Sequence, residues 1–269
     1  MKDFKNKVVV ITGGATGIGF SFAKNLGLIG AKIAICGIRQ DRVEEAVSKL
    51  QNLGIAAAGK IADVAKREEI EALADFVWAT YGKADVIINN AGIGGPRRSI
   101  IDATKEEVLQ LLDVNLFGVW NGVSVFGKRF IEQGTPAAIY NVGSENSFFN
   151  ALNLGGTYVI SKHGVLALTD TLRKEVPDFI RVGLICPGLT NSEIGPGIRI
   201  GMDTDKFTNI IIEQMKAGQF FLVSHSCNQP RINERYTEIM KAYETYAPRY
   251  EGDMEQYDVQ TLIANKAKW

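Results

Sequence analysis

Lys7-Val8-Val9-Val10-Ile11-Thr12-Gly13-Gly14-Ala15-Thr16-Gly17-Ile18-Gly19 is the stretch that decides the fold. Residues 7–12 are a β-branched run too short for a helix, with a polar start and a glycine stop. They read as a fully buried strand. An amphipathic segment, 20–28, follows the glycines and ends at Gly30. Strand, glycine-rich turn and helix, in that order, bring backbone N–H groups at a helix N-terminus to a pyrophosphate. A Cβ in the turn would block the close approach, which gives Gly13, Gly17 and Gly19 their importance. Their spacing, GxxxGxG, departs from the GxGxxG of the general dinucleotide fingerprint.

The alternation continues down the chain. Residues 32–36 read as a second strand and 41–53 as a helix closed by Gly54. A third strand at 55–61, a helix at 66–81 closed by Gly82 and a very apolar fourth strand at 84–89 come next. Residues 137–142 and 181–186 read as further strands, with long helical stretches at 105–133 and 156–175. Strands alternating with helices imply right-handed crossovers and a parallel sheet covered on both faces. The expected fold class is α/β: a doubly wound, Rossmann-type sheet of about seven strands, in a single domain over 1–269. Residues 190–227 would supply a substrate lid, with a loop at 195–201, a helix at 203–216 and a seventh strand at 220–223. Residues 228–269 form an extension rich in tyrosine that ends in Trp269. It reads either as a cover for a pocket or a neighbouring subunit, or as a peripheral helix with a disordered end.

Composition narrows the function classes. A chain of 269 residues is near the upper end of what one hydrophobic core supports. Lys+Arg and Asp+Glu balance at 30 each, so no global field draws in nucleic acid or an anionic membrane. The N-terminus leads straight into the first strand, with neither a signal-peptide core nor a membrane span, so a cytoplasmic location is expected. Cys36, Cys186 and Cys227 are widely spaced and form no CxxC, which suggests neither a disulfide framework nor a metal site.

Tyr158-Val159-Ile160-Ser161-Lys162 carries the candidate chemistry. A tyrosine and a lysine four residues apart share one helix face. A free phenol, with a pKa of about 10, is a poor base at neutral pH, and a nearby ammonium brings it toward the working range. The same pairing also occurs on ordinary solvated helices, so the rest of the chain has to decide.

The motifs in order resemble those of the short-chain dehydrogenase/reductase family. They are TGGATGIG at 12–19, Asp63-Val64, NNAG at 89–92, Asn115 in VNLFG, NVGS at 141–144, YVISK at 158–162 and Pro187-Gly188. The N-terminal half is also similar to the aryl-alcohol (lignin-type) dehydrogenases within that family. The resemblance implies an NAD(P)-dependent oxidoreductase that interconverts a secondary alcohol and a ketone, with a bulky or aromatic substrate. It implies a catalytic set of Asn115, Ser144, Tyr158 and Lys162. Tyr158 would be the general acid and base, and Lys162 would lower its pKa and hold the nicotinamide ribose. Ser144 would bind the substrate oxygen, and Asn115 would hold a water that links Lys162 to solvent. Family members commonly pair through the two long helices, so a homodimer or homotetramer is implied. Epimerase or dehydratase chemistry with retained cofactor, or a non-enzymatic nicotinamide-binding sensor, are the alternatives.

The resemblance also distributes cofactor contacts. Gly13, Thr16, Gly17, Ile18 and Gly19 would cradle the diphosphate, with Ile18 packing beneath. Asp63 and Val64 would meet the adenine; read from the residues alone, Asp63 is instead a candidate N-cap of the following helix, which does not exclude that contact. Asn90, Ala91 and Gly92 would shape the nicotinamide floor with Asn89, and Pro187, Gly188, Thr190 and Ser192 would bind the carboxamide end. One departure stands out: the family's serine usually lies thirteen residues before the tyrosine, and here that place holds Glu145. An extra residue in the intervening loop restores Ser144, and Ser147 is the fallback. Glu145 is open between contacting substrate and facing solvent. His163 reads as an ordinary helix residue, and His225 carries no motif. An acidic residue at the end of the second strand would favour NAD(H), but Gly37 stands there. With Arg39 two residues on, a guanidinium could meet a 2′-phosphate, so NADP(H) is expected over NAD(H).

Overall fold

The computed structural model describes residues 3–192 and 200–266. Its sheet has seven parallel strands: β1 (Val8–Thr12), β2 (Lys32–Gly37), β3 (Ala57–Ile61), β4 (Val86–Asn89), β5 (Ala137–Val142), β6 (Ile180–Cys186) and β7 (Phe221–Val223). Their order is β3-β2-β1-β4-β5-β6-β7, so the winding direction reverses between β1 and β4. Ligands bind at that reversal, outside the carboxyl ends of the strands. The helices are α1 (Gly17–Leu28), α2 (Gln40–Asn52), α3 (Arg67–Tyr81), α4 (Lys105–Leu112), α5 (Gly118–Gln133), α6 (Gly156–Glu175) and α7 (Thr204–Ala217).

Every residue of β1 is buried because both sheet faces are covered. Val9 and Ile11 join a cluster with Phe22, Leu26, Leu50, Phe207 and Met215. Val8 and Val10 point the other way, toward Ile70, Leu73, Val77, Phe126 and Phe130. Two strand starts fall later than the pattern suggests. The Ile55 N–H bonds to Leu50 O to close α2, and β3 begins only at Ala57. β4 begins at Val86, one residue past Asp85, whose carboxylate accepts from the Val8 N–H at 2.9 Å.

The stretch that reads as one helix over 105–133 is broken in the middle. A π-turn, Asp113–Phe117, separates α4 from α5, and Asn115 sits buried inside it. Such bulges recur at functional sites. Lys105–Gln133 is long and apolar enough to pass a composition test for a membrane span. In this fold its buried side chains, among them Phe126 and Phe130, pack on the sheet and α3.

Packing divides the chain into two compact units, Met1–Ser226 and Cys227–Trp269. The first holds the whole sheet. The second contains α8 (Gln229–Tyr246), α9 (Asp253–Tyr257) and α10 (Val259–Lys266), none of which buries a residue. The alternative of one helix followed by a disordered end is thereby corrected, since 253–257 and 259–266 are helical. Trp269 and most of the loop expected at 195–201 lie outside the described residues.

Candidate active site

At the end of β1 the chain folds into a turn that only glycine fits. Gly13 and Gly17 have φ of +61° and +54°, a region that favours glycine. A Cβ on Gly19 would stand 2.2 Å from the Gly13 carbonyl oxygen. Thr16 is the N-cap of α1, yet its side chain caps nothing, and no acidic residue occupies the first turn. The helix therefore presents its N-terminal N–H groups and positive dipole end with no capping side chain from Thr16 and no carboxylate in its own first turn. From β4, Asn90 closes the cradle. Its Nδ2 donates to Thr12 O at 2.9 Å and Gly13 O at 3.2 Å, while the Asn90 and Ala91 N–H groups donate to Thr12 Oγ1. Ile18 is buried beneath, as expected.

Ser144, Tyr158 and Lys162 converge at the carboxyl end of β5, two strands over from β1 on the same sheet edge. Ser144 is the N-cap of a short 3₁₀ turn, Glu145–Ser147. Its Oγ accepts from Asn146 N at 3.1 Å and donates to Pro187 O across a long 3.4 Å. Ser147 is not an alternative to it: the Ser147 Oγ donates to Lys162 O at 2.8 Å and is fully committed to holding the turn on α6. Lys162 is buried, its Nζ donating to Val142 O at 2.9 Å and standing 5.5 Å from the Tyr158 ring centroid. Burial without a carboxylate partner brings its pKa down to about 8. The Tyr158 phenol moves the other way: burial raises it above its ordinary value, and the Ser144 hydroxyl pulls it back in part.

Several sequence expectations change at this site. Asn115 lies buried in the π-turn. Its amide exchanges two bonds with the Ile93 backbone, at 2.8 and 3.0 Å, and donates to Ser161 Oγ, bracing the loop after β4 against α6. Asp63 does not cap α3. The N-cap is Lys66, and the Asp63 carboxylate accepts from the nearby Ala65 N–H instead. Val64 is buried under α5, its carbonyl held by Asn121. Thr190 is buried with its hydroxyl turned back to Gly188 O at 3.2 Å, and Ser192 is partly buried at the end of the same loop. Gly92 leaves 3.2 Å between a would-be Cβ and the Asn115 Oδ1.

Glu145 does not face solvent: it is only 4% exposed. Its Oε2 and the His225 ring both crowd the spot where a Cβ on Gly188 would stand, at 2.6 Å and 2.5 Å. Sequence reading gave His225 no role. Only the parallel placement of β7 beside β6 brings the end of that strand to the same sheet edge. At the opposite end of the site, Arg39 is exposed at the N-cap of α2, and a cavity of about 160 Å³ lies between the glycine turn and α2. Its walls add Arg42 and Lys49, both paired with Glu45.

The family model for short chain dehydrogenase matches residues 7–202. The chain belongs to the short-chain dehydrogenase family. Among curated relatives, a C alpha-dehydrogenase from Sphingobium sp. (strain NBRC 103272 / SYK-6) is 37% identical over 204 residues, 74% of this chain. A diacetyl reductase [(S)-acetoin forming] from Staphylococcus epidermidis is 32% identical over 190 residues, 70% of this chain and 73% of its own length. The matched stretch spans 66% of the C alpha-dehydrogenase and 32% of the Mycobacterium tuberculosis oxidoreductase EphD. Among solved structures, LigD in its apo form from Sphingobium sp. strain SYK-6 superposes with a TM-score of 0.81 at 30% identity. That match covers 92% of this chain and 100% of the other.

The cradle of this short-chain dehydrogenase fits a dinucleotide. The uncapped N-terminus of α1 suits a diphosphate, and the turn in front of it closes only with glycine, since a Cβ at Gly13 or Gly19 would strike Ala91 Cα or the Gly13 carbonyl oxygen. Gly19→Ala should therefore force the Gly13 carbonyl aside and weaken NADPH binding at least tenfold, alongside about 1–3 kcal/mol of overpacking. A fluorescence titration reads the affinity, and a wild-type dissociation constant in the variant would contradict this role for the turn.

Proposed function

We propose that the protein interconverts a secondary alcohol and a ketone with a nicotinamide dinucleotide, NADP(H) in preference to NAD(H). The observation that carries this reading is the placement of Tyr158 and Ser144 together at the carboxyl end of β5, the same edge of the parallel sheet at which the uncapped α1 begins. When bound, the nicotinamide exchanges a hydride with the carbinol carbon. Tyr158 gives its proton to the carbonyl oxygen in reduction and takes it back in oxidation. Its raised pKa keeps the phenol protonated, which suits the reductive direction. Ser144 orients the substrate oxygen. Its existing 3.4 Å bond to Pro187 O is long, so little is lost when the hydroxyl turns toward a ligand. Lys162, titrating near 8, places a positive charge behind the phenol and can pass on a proton in the working pH range. Leu152, Leu154, Ile93 and Leu189 are exposed on the loops that lead to Tyr158, Asn115 and Gly188. They favour a bulky, partly apolar substrate. Relatives named C alpha-dehydrogenase and diacetyl reductase support carbinol and ketone chemistry. A screen in which only small polyols turned over would contradict the bulky pocket.

The cofactor preference rests on Gly37, with Arg39 and Arg42 close by. A side chain at Gly37 would find ordinary contact, 3.4 Å from Val43 Cγ2, and its φ is not in the left-handed region. Gly37→Asp is therefore expected to fold normally and to place a carboxylate where it repels a 2′-phosphate. NADPH binding should weaken by roughly tenfold to a hundredfold, since like charges placed together cost several kcal/mol, while NADH binding holds or improves. Parallel titrations with the two cofactors read the switch. An unchanged ratio would make Arg39 a plain surface residue.

A further inference from the structure

A cavity of about 280 Å³ lies toward the amino ends of β5 and β6, away from the catalytic groups. It is lined by Tyr140, Arg181, Val182 and the chain Ala217-Gly218-Gln219 that joins α7 to β7. Tyr140 is 1% exposed. Its ring lies over Gly183, where a Cβ would come within 2.8 Å of Tyr140 Cδ1. The Tyr140 hydroxyl has no hydrogen-bond partner among the described residues. Nor is it sealed in the core, for the buried and unbonded side-chain atoms among those residues are Asn89 Oδ1 and Thr157 Oγ1. The phenol therefore opens on the cavity.

Arg181, exposed near the start of β6, brings positive charge to the same place. It makes no ion pair or hydrogen bond among the described residues. Its Nη1 rests 2.8 Å from where a Cβ on Gly218 would stand, so the glycine that caps α7 keeps the space for the guanidinium. The charge reaches the phenol: burial raises the Tyr140 pKa to about 12, and Arg181 opposes that rise. The main chain adds a further donor. Alternate residues of a strand send their N–H and C=O groups to the same neighbour. The Leu184 N–H donates to Phe220 O at 2.7 Å, so the Val182 N–H faces that side too, before β7 begins. It has no backbone partner there among the described residues.

A guanidinium, a phenol O–H and a main-chain N–H around one cavity match an oxyanion, which a guanidinium grips with two parallel bonds. Charge decides which oxyanion. Arg181 supplies one positive charge, and α7 ends at the cavity with the negative end of its dipole. A phosphate group, at about −1.5 to −2, exceeds what one arginine balances, whereas a carboxylate matches it. Small-ligand clefts begin at about 300 Å³, so the occupant is a small molecule. We propose that Arg181, Tyr140 and the Val182 N–H form a binding site, separate from the catalytic end of the sheet, for a small, singly charged carboxylate.

Sodium propionate is the probe, its binding read from the NMR relaxation of its methyl protons with NADPH present. Wild-type protein should bind it saturably, one per chain. Arg181→Met should weaken binding at least tenfold, the scale of one charge-assisted hydrogen bond, and Tyr140→Phe by about threefold to tenfold. Arg181 is exposed and phenylalanine keeps the ring over Gly183, so both variants should retain the wild-type circular dichroism and NADPH affinity. Sodium phosphate and sodium chloride, at equal ionic strength, should displace propionate only at higher concentration. Absence of saturable binding, or equal affinity in wild type and both variants, would overturn the inference. Phosphate that displaced propionate at lower concentration would overturn the carboxylate assignment.

Discussion

Tyr158→Phe is expected to lower kcat/KM for ketone reduction by roughly a thousandfold, within the range that a positioned proton donor contributes. The ring remains over Lys162, 5.5 Å from its Nζ, and only the hydroxyl is lost. The fold should be unaffected and the dissociation constant for NADPH should stay within about twofold, because the diphosphate cradle lies on α1. Steady-state kinetics together with a fluorescence titration separate the two effects. A variant that kept more than half of wild-type turnover would remove Tyr158 from the mechanism. A variant that lost cofactor binding as well would make it a structural residue.

Lys162→Met should separate activity from stability. Burial of the ammonium holds the Lys162 pKa at about 8, against 10.5 for an ordinary lysine. Between those values the unfolded chain binds more protons than the folded one, so stability rises with pH across that window. Below pH 8 the folded protein carries the full cost of a buried charge. Methionine fills the same channel without that charge, at the expense of one bond to Val142 O. The variant without cofactor should therefore be more stable than wild type at pH 7, by about 1–3 kcal/mol. The gap should close as pH rises from 8 toward 10.5, and turnover should fall at least a hundredfold. Thermal unfolding at pH 7 and pH 9.5 reads the stability part. A variant less stable than wild type at pH 7 would show that the lysine holds the fold rather than the chemistry.

The sheet was legible because its strands are locally explicit. The runs Val8–Thr12 and Ala137–Val142 are buried on both faces, so their sequences carry no polar alternation to confuse them. The glycine turn was legible because Gly13, Gly17 and Gly19 meet steric demands that other residues fail. What sequence could not supply depends on convergence. The π-turn at Asn115 lies inside a stretch that is helical by every local measure. The capping reading of Asp63 placed a carboxylate near a helix start, but the chain makes one more turn before α3 begins at Arg67. The burial of Glu145 and its meeting with His225 depend on strands far apart in sequence arriving at one edge. The Lys162 environment likewise comes from β5, whose Val142 carbonyl takes the bond that an exposed lysine would give to water.

The central claim, hydride exchange with a carbinol carbon while Tyr158 moves the proton, is tested most directly by following deuterium. NADPH labelled at C4, in each of its two stereoisomers, would be incubated with the protein and 2-hydroxyacetophenone or acetophenone. The expected result is one deuterium on the carbinol carbon of the product from one of the labelled isomers, with oxidised cofactor formed in equal amount. Label that stays in the cofactor while the substrate changes would mean epimerase or dehydratase chemistry, and would contradict the account.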